Sequence, residues 1–465
     1  MAGQPAIADS LLALLPHRVR RPGGIFEDAN ASSMNPAFMT ANGVTRNAAL
    51  QAIVNRRVLE EGVRAPKHPE LRRLRFALVD MSGPAKSIAP QFSGHDELLQ
   101  GGLGSMAKLA CMFAAFQLKS DLEELSVRKG ISVEKDLFTA ARDIWTDAQK
   151  RDATNVQTLF PADPKIEQLG RLIEVDGKTI PVPRPFSAPD LEHIFTSTKS
   201  GPGLKLSFRG SDLILVDATG SSTVPHTNAR VEAYVRSKGE KIKQVRQFTF
   251  AERLFLMVDD SDGAATHTCI ENVSFWYIAS SLWQNDLYRP ERGGGLWEGS
   301  THDGTFRWRL PPSPLKSRAV DFVSATAASM AAMLTLLEQD RLVNPEASSA
   351  MKHLMNKDKV GLRVLDRGRL ISVGSYTRSF FSEELERRFR LDRVHSKLGI
   401  ASALNDGLIV ARTVRPDPAD PSKTVPLLYV AAGFDSSSPT NLHTLIVQLD
   451  RCILEHNGLL APNAP

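Results

Sequence analysis

A glycine-rich stretch that runs directly into an apolar helix constrains this chain more than any other part of its sequence. Three of the four residues at 101–104 are glycine, and Ser105 follows them. From Leu109 to Phe116, apolar side chains recur at i, i+3, i+4 and i+7, which is typical of one buried face of an α-helix. The pattern predicts a tight turn, then a buried helix that begins near Ser105.

Ser105 and Lys108 are the residues of this stretch that point to chemistry. A helix start presents unpaired N–H groups and the positive end of the helix dipole, which stabilise an oxyanion. Lys108 lies one helical turn after Ser105. Burial favours the neutral form of an amine, and a neutral amine can take the proton of a hydroxyl. Ser105 is therefore a candidate nucleophile, with Lys108 as its base.

The Ser-x-x-Lys spacing also has a plainer interpretation. Ser105 could be only a helix cap, and Lys108 only a surface lysine. The apolar surroundings of Lys108 favour the functional interpretation, because a charge in an apolar environment costs free energy unless it is used. The spacing alone is a common pattern, since it recurs at Ser126–Lys129, Ser132–Lys135, Ser313–Lys316 and Ser349–Lys352.

Length and charge limit the class of protein. The 465 residues exceed one typical hydrophobic core and predict two structural lobes. The hydrophobic share of 42% and charged share of 23% are ordinary for a soluble globular protein. The net charge of +5 is scattered along the chain, which argues against a nucleic-acid partner.

Metal, cofactor and membrane functions are not indicated. Three cysteines without a Cys-x-x-Cys pair predict reduced, buried thiols, and the histidines do not cluster with acids at metal-ligand spacing. No stretch approaches the roughly 18 apolar residues of a membrane span. No secretory signal is recognisable, so the expected location is the cytoplasm. The cysteines are Cys111, Cys269 and Cys452, and the histidines considered are His267, His302 and His395.

The C-terminal third predicts an antiparallel sheet. Strand patterns at 369–375, 394–401, 407–413 and 425–432 are joined by short links, and an earlier strand is predicted at 74–81. An amphipathic helix is predicted at 438–455 and others at 45–61, 133–148 and 325–339. We therefore expect an α+β fold, an α/β/α sandwich flanked by N- and C-terminal helices, with an all-helical lobe beside it.

Four segments of chain are expected. Residues 1–65 form an N-terminal extension, and 66–104 with 360–465 form the lobe of the antiparallel sheet. Residues 105–149 with 251–359 form the helical lobe. The proline-rich stretch 150–250 is expected to be an inserted subdomain of mixed structure.

Two further short motifs follow in the chain. Ser261-Asp262-Gly263 lies in a loop between helical segments, where it could also be an ordinary turn or helix cap. Lys397-Leu398-Gly399 lies within a predicted strand, where a lysine could also serve to protect a sheet edge.

Together with Ser105-Met106-Ala107-Lys108, these motifs resemble the serine β-lactamase and penicillin-binding protein superfamily, closest to its class A β-lactamase-like group. That family has Ser-x-x-Lys at the start of a buried helix, Ser-Asp-Asn in a loop of the helical lobe, and Lys-Thr-Gly in a strand near the C-terminal end of the sheet. The order and setting of the three motifs agree here, over roughly residues 70–125 and 250–460.

The resemblance implies a role for each motif residue. Ser105 would be the nucleophile, Lys108 its base, and Ser261, helped by Lys397, would pass a proton to the leaving group. The oxyanion hole would consist of the backbone N–H groups of Ser105 and Ile400. Substrate contacts would come from the remaining motif residues Asp262, Gly263, Leu398 and Gly399.

Departures from the family pattern concern substrate recognition. Gly263 stands where the family has asparagine, and Leu398 stands where it has threonine. No match to the loop with the deacylating glutamate is evident, and Glu291 and Glu298 are interpreted as surface residues.

The predicted function is that of a soluble, bacterial serine hydrolase of the β-lactamase-like type. It would act on an amide or ester carbonyl of a small-molecule or peptide-like substrate, through an acyl-enzyme and without a cofactor or metal. The alternative is a catalytically decayed relative that keeps the fold as a binding module.

Overall fold

The structure is a computed structural model, and it describes most of the chain from residue 45 onward. The described residues are 45–151, 170–175, 178–183, 188–199, 203–210, 242–285, 287–289, 294–302, 322–355, 363–366, 369–372, 389–400, 402–414 and 424–462. The predicted strand pattern of residues 394–401 ends one residue beyond them, and Glu291 also lies outside them.

Helices of nine or more residues within these ranges are labelled in chain order. They are α1 (Ala48–Arg57), α2 (Lys108–Lys129), α3 (Glu134–Arg151), α4 (Phe250–Val258), α5 (Gly263–Val273), α6 (Phe275–Gln284), α7 (Ala327–Glu338), α8 (Pro345–Leu354) and α9 (Pro439–His456). Shorter helices are Gly83–Ile88, Leu191–Ile194 and Ile242–Val245, and the 3₁₀ turns are Pro69–Arg73 and Gly104–Ala107.

The largest sheet has six strands, which are also labelled in chain order. They are β1 (Thr45–Arg46), β2 (Arg75–Asp80), β3 (Gln91–His95), β4 (Phe389–Ile400), β5 (Leu404–Val414) and β6 (Val425–Ser436). Shorter strands are Gly101–Gly102, Gly170–Val175, Lys178–Pro183, Phe195–Lys199, Lys205–Phe208, Tyr288–Arg289, Gly294–Gly295, Trp297–Glu298, Val323–Ala325, Arg363–Asp366 and Arg369–Ser372.

The chain divides into two compact units. The sheet unit comprises the described residues within 45–107, 289–297 and 322–462. The helical unit comprises those within 108–288 and 298–302.

The sheet unit is built around the six strands in the order β1-β3-β2-β6-β5-β4. All neighbours are antiparallel except β1 and β3. Leu78, Val410 and Tyr429 of three adjacent strands share one apolar core with Leu50 of α1 and Leu445 of α9. Helix α7 packs against β2, β5 and β6. The predicted α+β class is confirmed, with an antiparallel sheet that has helices on both sides.

Local sequence explains why α9 covers this sheet. Ser438 caps the helix by accepting a hydrogen bond from the Asn441 N–H at 3.1 Å, and Pro439 occupies the first turn, where a missing N–H costs nothing. Its apolar side chains then recur at helical spacing and are buried. They are Leu442, Leu445, Ile446, Leu449, Cys452 and Ile453.

The strand predicted at 369–375 belongs elsewhere. Arg369–Ser372 pairs with Arg363–Asp366 as a separate two-stranded hairpin, outside the six-stranded sheet. The two residues between these strands include a glycine, and such a short link closes a local hairpin. The other four predicted strands of the sheet are confirmed as β2, β4, β5 and β6.

The sheet unit also holds segments that the sequence analysis grouped differently. Helices α7 and α8 pack in the sheet unit, whereas residues 251–359 were expected in the helical lobe. Strand β1 and helix α1, from the expected N-terminal extension, belong to the sheet unit as well. Helix α7 is buried along nearly its whole length, so its amphipathic period could not show which unit it faces.

The helical unit is organised around α2. Eleven consecutive residues from Lys108 to Leu118 are buried. Part of the expected insert packs on this unit, because the Phe208 ring lies 4.9 Å from that of Phe116 and 5.5 Å from that of Phe250. No helix among the described residues of the whole chain combines the length and apolar character needed to cross a membrane.

Candidate active site

Ser105 lies in the 3₁₀ turn Gly104–Ala107 of the sheet unit and is partly exposed. Helix α2 begins at Lys108, so the α-helix starts three residues later than the sequence analysis expected. Gly104 has φ +56°, a backbone conformation that favours glycine. The glycine-rich stretch thus lets the chain turn sharply just before the serine hydroxyl.

The Ser105 turn packs directly against the end of strand β4. A Cβ atom added to Gly104 would lie 2.8 Å from the Ile400 nitrogen, and one added to Gly399 would lie 2.9 Å from the Met106 nitrogen. Backbone approaches this close are possible only because both positions lack a side chain. Two of the three segments with motif residues are therefore in contact within one unit.

The direction of the Ile400 N–H follows from strand geometry. Strand β4 is at the edge of the sheet, and the Ser396 N–H donates to the Met355 carbonyl, away from neighbouring β5. The β4–β5 register is continuous from Ser396 to Ile400, and N–H groups alternate sides along a strand. The Ile400 N–H therefore points away from β5 too, along the edge that the Gly104 backbone approaches.

Lys397 and Leu398 face opposite sides of β4. Lys397 has no exposed surface and pairs in register with Gly407. A Cβ on Gly407 would meet the side chains of Met106, Leu334 and Met330, so the Lys397 side of the strand is the one that α7 and the Ser105 turn cover. Leu398 packs against the apolar core on the other side. Its side chain is thus occupied, and a substrate contact there would use its backbone.

His395 shares the Lys397 side of β4 and is also buried. Burial lowers the pKa of His395 to about 3, and the positive charges of Arg393 and Lys352 lower it further. The imidazole is therefore neutral at physiological pH.

In the helical unit, Lys108 and Ser261 are brought together. The Lys108 side chain is 1% exposed, and its Nζ donates to the Ser261 carbonyl and lies 3.4 Å from the Ser261 Oγ. Ser261 has φ +61°, a backbone conformation that few residues other than glycine adopt. Its carbonyl and its hydroxyl both face Lys108 Nζ. The first and second motifs therefore meet.

Asp262, rather than Ser261, caps helix α5. Its Oδ1 accepts the Ala265 N–H at 2.6 Å, and Gly263 is the first residue of the helix. Asp262 is buried, so this bond satisfies a carboxylate that would otherwise be costly to enclose. The contact favours a structural role for the Asp262 side chain, which holds the loop that presents Ser261.

Glu298 is a functional candidate that the sequence analysis interpreted as a surface residue. It has no exposed surface, and its carboxylate accepts hydrogen bonds from the Ser300 N–H at 3.1 Å and from His302 Nε2 at 3.0 Å. Glu298 also lies near Cys111 of α2. Burial raises the pKa of the Cys111 thiol well above its usual range, and the nearby Cys269 and Glu298 raise that pKa further. A buried Glu–His pair of this kind is typical of acid–base sites.

The thiols themselves are not candidate nucleophiles. All three cysteines are buried and unpaired, and burial raises the pKa of Cys269 and of Cys452 to about 12. They are protonated at neutral pH, which leaves them inert.

Other candidate sites are limited. A cavity of about 270 Å³ lies in the helical unit between α2 and α3, lined by Leu122, Trp145 and Tyr277 among others, but by none of the predicted site residues. Within the described part of the chain, no three His, Cys, Asp or Glu side chains are grouped so as to hold a metal ion.

Comparison with known proteins gives structural likeness alone. The sequence matches no protein-family model and no curated protein. The fold is similar to those of serine β-lactamases, the group that the three motifs resemble.

One similar structure is a β-lactamase from Sphaerobacter thermophilus, with 13% identity, 89% of this chain and 98% of that chain covered, and a TM-score of 0.37. A β-lactamase from Xanthomonas campestris has 12% identity, coverage of 88% and 96%, and a TM-score of 0.35. The class A β-lactamase of the last common ancestor of Gram-negative bacteria has 14% identity, coverage of 89% and 100%, and a TM-score of 0.35.

Proposed function

We propose that this protein is a serine hydrolase of the β-lactamase-like type, which acts on an amide or ester carbonyl through an acyl-enzyme on Ser105. The observation that carries the proposal is the backbone contact between the Ser105 turn and the end of β4. In this contact the turn that carries the partly exposed Ser105 lies against the end of the strand whose Ile400 N–H points away from β5.

The N–H groups of Ser105 and Ile400 would stabilise the oxyanion. Attack by the Ser105 Oγ on a carbonyl carbon places negative charge on the carbonyl oxygen. Fixed N–H donors stabilise that charge most effectively where water is excluded, and each contributes on the order of 3 kcal/mol to lowering the barrier.

Lys108 would take the proton from the Ser105 hydroxyl. It is buried, which favours the neutral amine that a general base requires. Its contact with the Ser261 Oγ gives the proton a path from Lys108 to the leaving group as the carbon–nitrogen or carbon–oxygen bond breaks. Lys397, buried on the same strand as Ile400, would assist with its positive charge.

Glu298 would activate water in the second half of the reaction. Its carboxylate would accept a proton from water as the oxygen attacks the acyl carbon, and Ser105 would regain a proton as it leaves. Among described residues the other fully enclosed glutamate, Glu252, is committed to the cap of α4, so it is not available for this step.

The substrate would be a small molecule or peptide-like compound with a reactive carbonyl. Gly263 offers no side chain and the Leu398 side chain packs into the core, so neither would grip a substrate as the family's asparagine and threonine do. We therefore propose acyl transfer in general, without committing the site to β-lactams.

Covalent labelling tests the proposal. Purified protein is incubated with a fluorophosphonate probe and, separately, with a fluorescent penicillin, and the labelled residue is identified by peptide mass spectrometry. We expect labelling on Ser105 by at least one probe and its complete loss in Ser105→Ala.

Ser126→Ala is the matched control, because Ser126 is also followed by a lysine three residues later but bonds to the Ile131 carbonyl at 2.7 Å. Absence of labelling in the folded protein would favour the alternative, a fold kept as a binding module.

A further inference from the structure

The segment before Glu298 is built from residues that would not hold a fixed shape unaided. Residues 293–295 are three consecutive glycines, and Gly295 has φ +137°. Glycine loses more conformational freedom on ordering than any other residue. Yet Leu296 and Trp297 are buried, so the chain that leads to Glu298 is anchored.

The anchor is the side chain of Gln100. Its Nε2 donates to the Gly295 carbonyl at 2.6 Å, and its Oε1 accepts the Gly295 N–H at 2.9 Å. The same Nε2 also contacts the Ser324 Oγ. Gln100 has no exposed surface, so both ends of its amide are enclosed and paired. One side chain thus forms hydrogen bonds with both the carbonyl and the N–H of Gly295, as the backbone of a neighbouring strand would.

The two residues of this contact each lie a few positions before a residue of the proposed reaction. Gln100 precedes Ser105 by five residues and joins it through the strand Gly101–Gly102 and the 3₁₀ turn. Gly295 precedes Glu298 by three residues. The segment that leads to the nucleophile is therefore tied to the segment that leads to the carboxylate.

We propose that Gln100 is a positioning residue for deacylation. It fixes the backbone at Gly295, and through the short link to residue 298 it fixes where the Glu298 carboxylate holds the attacking water. This inference rests on the proposed function, because it assumes an acyl-enzyme on Ser105 and Glu298 as the base.

The role separates the two halves of the reaction. Acylation uses Ser105 and Lys108, whereas the amide of Gln100 bonds to the backbone of Gly295. Deacylation needs Glu298 within about an ångström of its working position, and a displacement of that size costs roughly 100-fold in rate. Loss of the Gln100 amide should therefore lengthen the lifetime of the acyl-enzyme and leave its formation almost unchanged.

The test measures the two rates separately. Fluorescent penicillin and p-nitrophenyl acetate serve as probes, and intact-protein mass spectrometry follows formation and decay of the acyl-enzyme in wild type, Gln100→Ala, Gln100→Glu and Glu298→Gln. We expect decay to slow at least about 10-fold in all three variants, with formation within about 3-fold of wild type. Gln100→Glu keeps the acceptor for the Gly295 N–H but loses the donor to its carbonyl.

A double variant distinguishes positioning from general damage. If Gln100 acts through Glu298, the pair Gln100→Ala with Glu298→Gln decays no more slowly than Glu298→Gln alone. Gln117→Ala is the matched control, since Gln117 is a buried glutamine that bonds to Asp121 at 2.7 Å in the helical unit. It should leave both rates unchanged.

Each outcome decides between the two proposals. Wild-type protein that never forms an acyl-enzyme overturns the proposed function and this inference with it. An acyl-enzyme whose decay is unaffected by Gln100→Ala, in protein with native circular dichroism, overturns the positioning role alone. Equal slowing of formation and decay does the same, because it indicates a general structural defect.

Discussion

Gly399 lies so close to Leu103 that a Cβ atom at position 399 would overlap the Leu103 carbonyl oxygen. The overlap is with backbone, which cannot rotate away as a side chain can. The contact fixes the turn of Ser105 on the end of strand β4, and it makes Gly399 a packing requirement of the proposed oxyanion hole.

Gly399→Ala should therefore push the turn and the strand apart. We expect acylation to fall by more than about 10-fold and the free energy of unfolding by about 1–3 kcal/mol. Stopped-flow acylation and chemical denaturation measure the two effects.

Gly433→Ala, on strand β6, is the control. A Cβ at position 433 would lie 2.8 Å from the flexible end of the Leu445 side chain instead of against backbone. This variant should lower stability without changing activity per folded molecule. Unchanged acylation in Gly399→Ala would show that the contact is not needed for the reaction.

Lys108→Ala should remove activity while leaving the fold intact. We expect acylation to fall by about 10²–10⁴-fold, the usual contribution of a positioned general base. The melting temperature should be unchanged or higher, because a buried amine is costly to desolvate. Lys119→Ala, on the same helix but paired with Glu123 near the surface, is the control. Retained activity with a large loss of stability would assign Lys108 a structural role instead.

Ser261→Gly should lose activity without a cost in stability. The change removes the hydroxyl next to Lys108, and glycine adopts the positive φ of this position more easily than serine. Ser274→Gly makes the same chemical change at φ +77° in the same unit, and it should leave acylation within about 3-fold of wild type. Comparable rates for the two variants would exclude a proton-transfer role for Ser261.

Stability should decline in acid because of His395. Its folded-state pKa of about 3 is below the ordinary 6.5, so below pH 6.5 the unfolded chain binds a proton that the folded protein excludes. The free energy of unfolding should then fall by up to about 1.4 kcal/mol per pH unit between these two values.

Denaturation curves from pH 7 to pH 4 measure this slope, and His395→Phe should make it shallower. His193→Phe, at a side chain that is 66% exposed, should not change it. An unchanged slope in His395→Phe would mean that other groups cause the acid sensitivity.

A buried ion pair between strand β5 and helix α9 should show strong coupling. Arg412 pairs with Asp450, which also accepts the Tyr429 hydroxyl at 2.8 Å. In a Tyr429→Phe background, Arg412→Met or Asp450→Leu alone leaves one buried charge and should cost about 3–5 kcal/mol. The double variant should cost less than either single variant, as equilibrium denaturation can measure. Additive costs would show that the two charges do not depend on each other.

Most of the sheet unit could be predicted from sequence because its elements carry local signals. Strands β5 and β6 contain continuous apolar runs, which are typical of strands covered on both faces, and α9 has a clear apolar face with a serine cap. The hairpin strand Arg369–Ser372 carries the same local signal but pairs outside the six-stranded sheet. Pairing partners are set by the whole fold, which a single strand's pattern does not contain.

The part of the candidate site that could be predicted from sequence is the part that carries short motifs. The Lys108–Ser261 contact follows from two short motifs. Glu298 could not be recognised in this way, since burial is set by the whole fold, and the Gln100–Gly295 contact before it joins residues nearly two hundred positions apart in sequence. The three glycines before it were the available signal, because so flexible a run needs an external anchor.

The alternation of N–H groups along β4 restricts how this protein can change over evolutionary time. The number of residues from Ser396 to Ile400 sets the direction of the Ile400 N–H, whatever side chain stands at position 398. Gain or loss of a single residue there would rotate the last N–H into the ladder with β5 and remove it from the serine turn. In descendants of this chain, position 398 should accept other residue types, whereas the length of this short interval should stay constant.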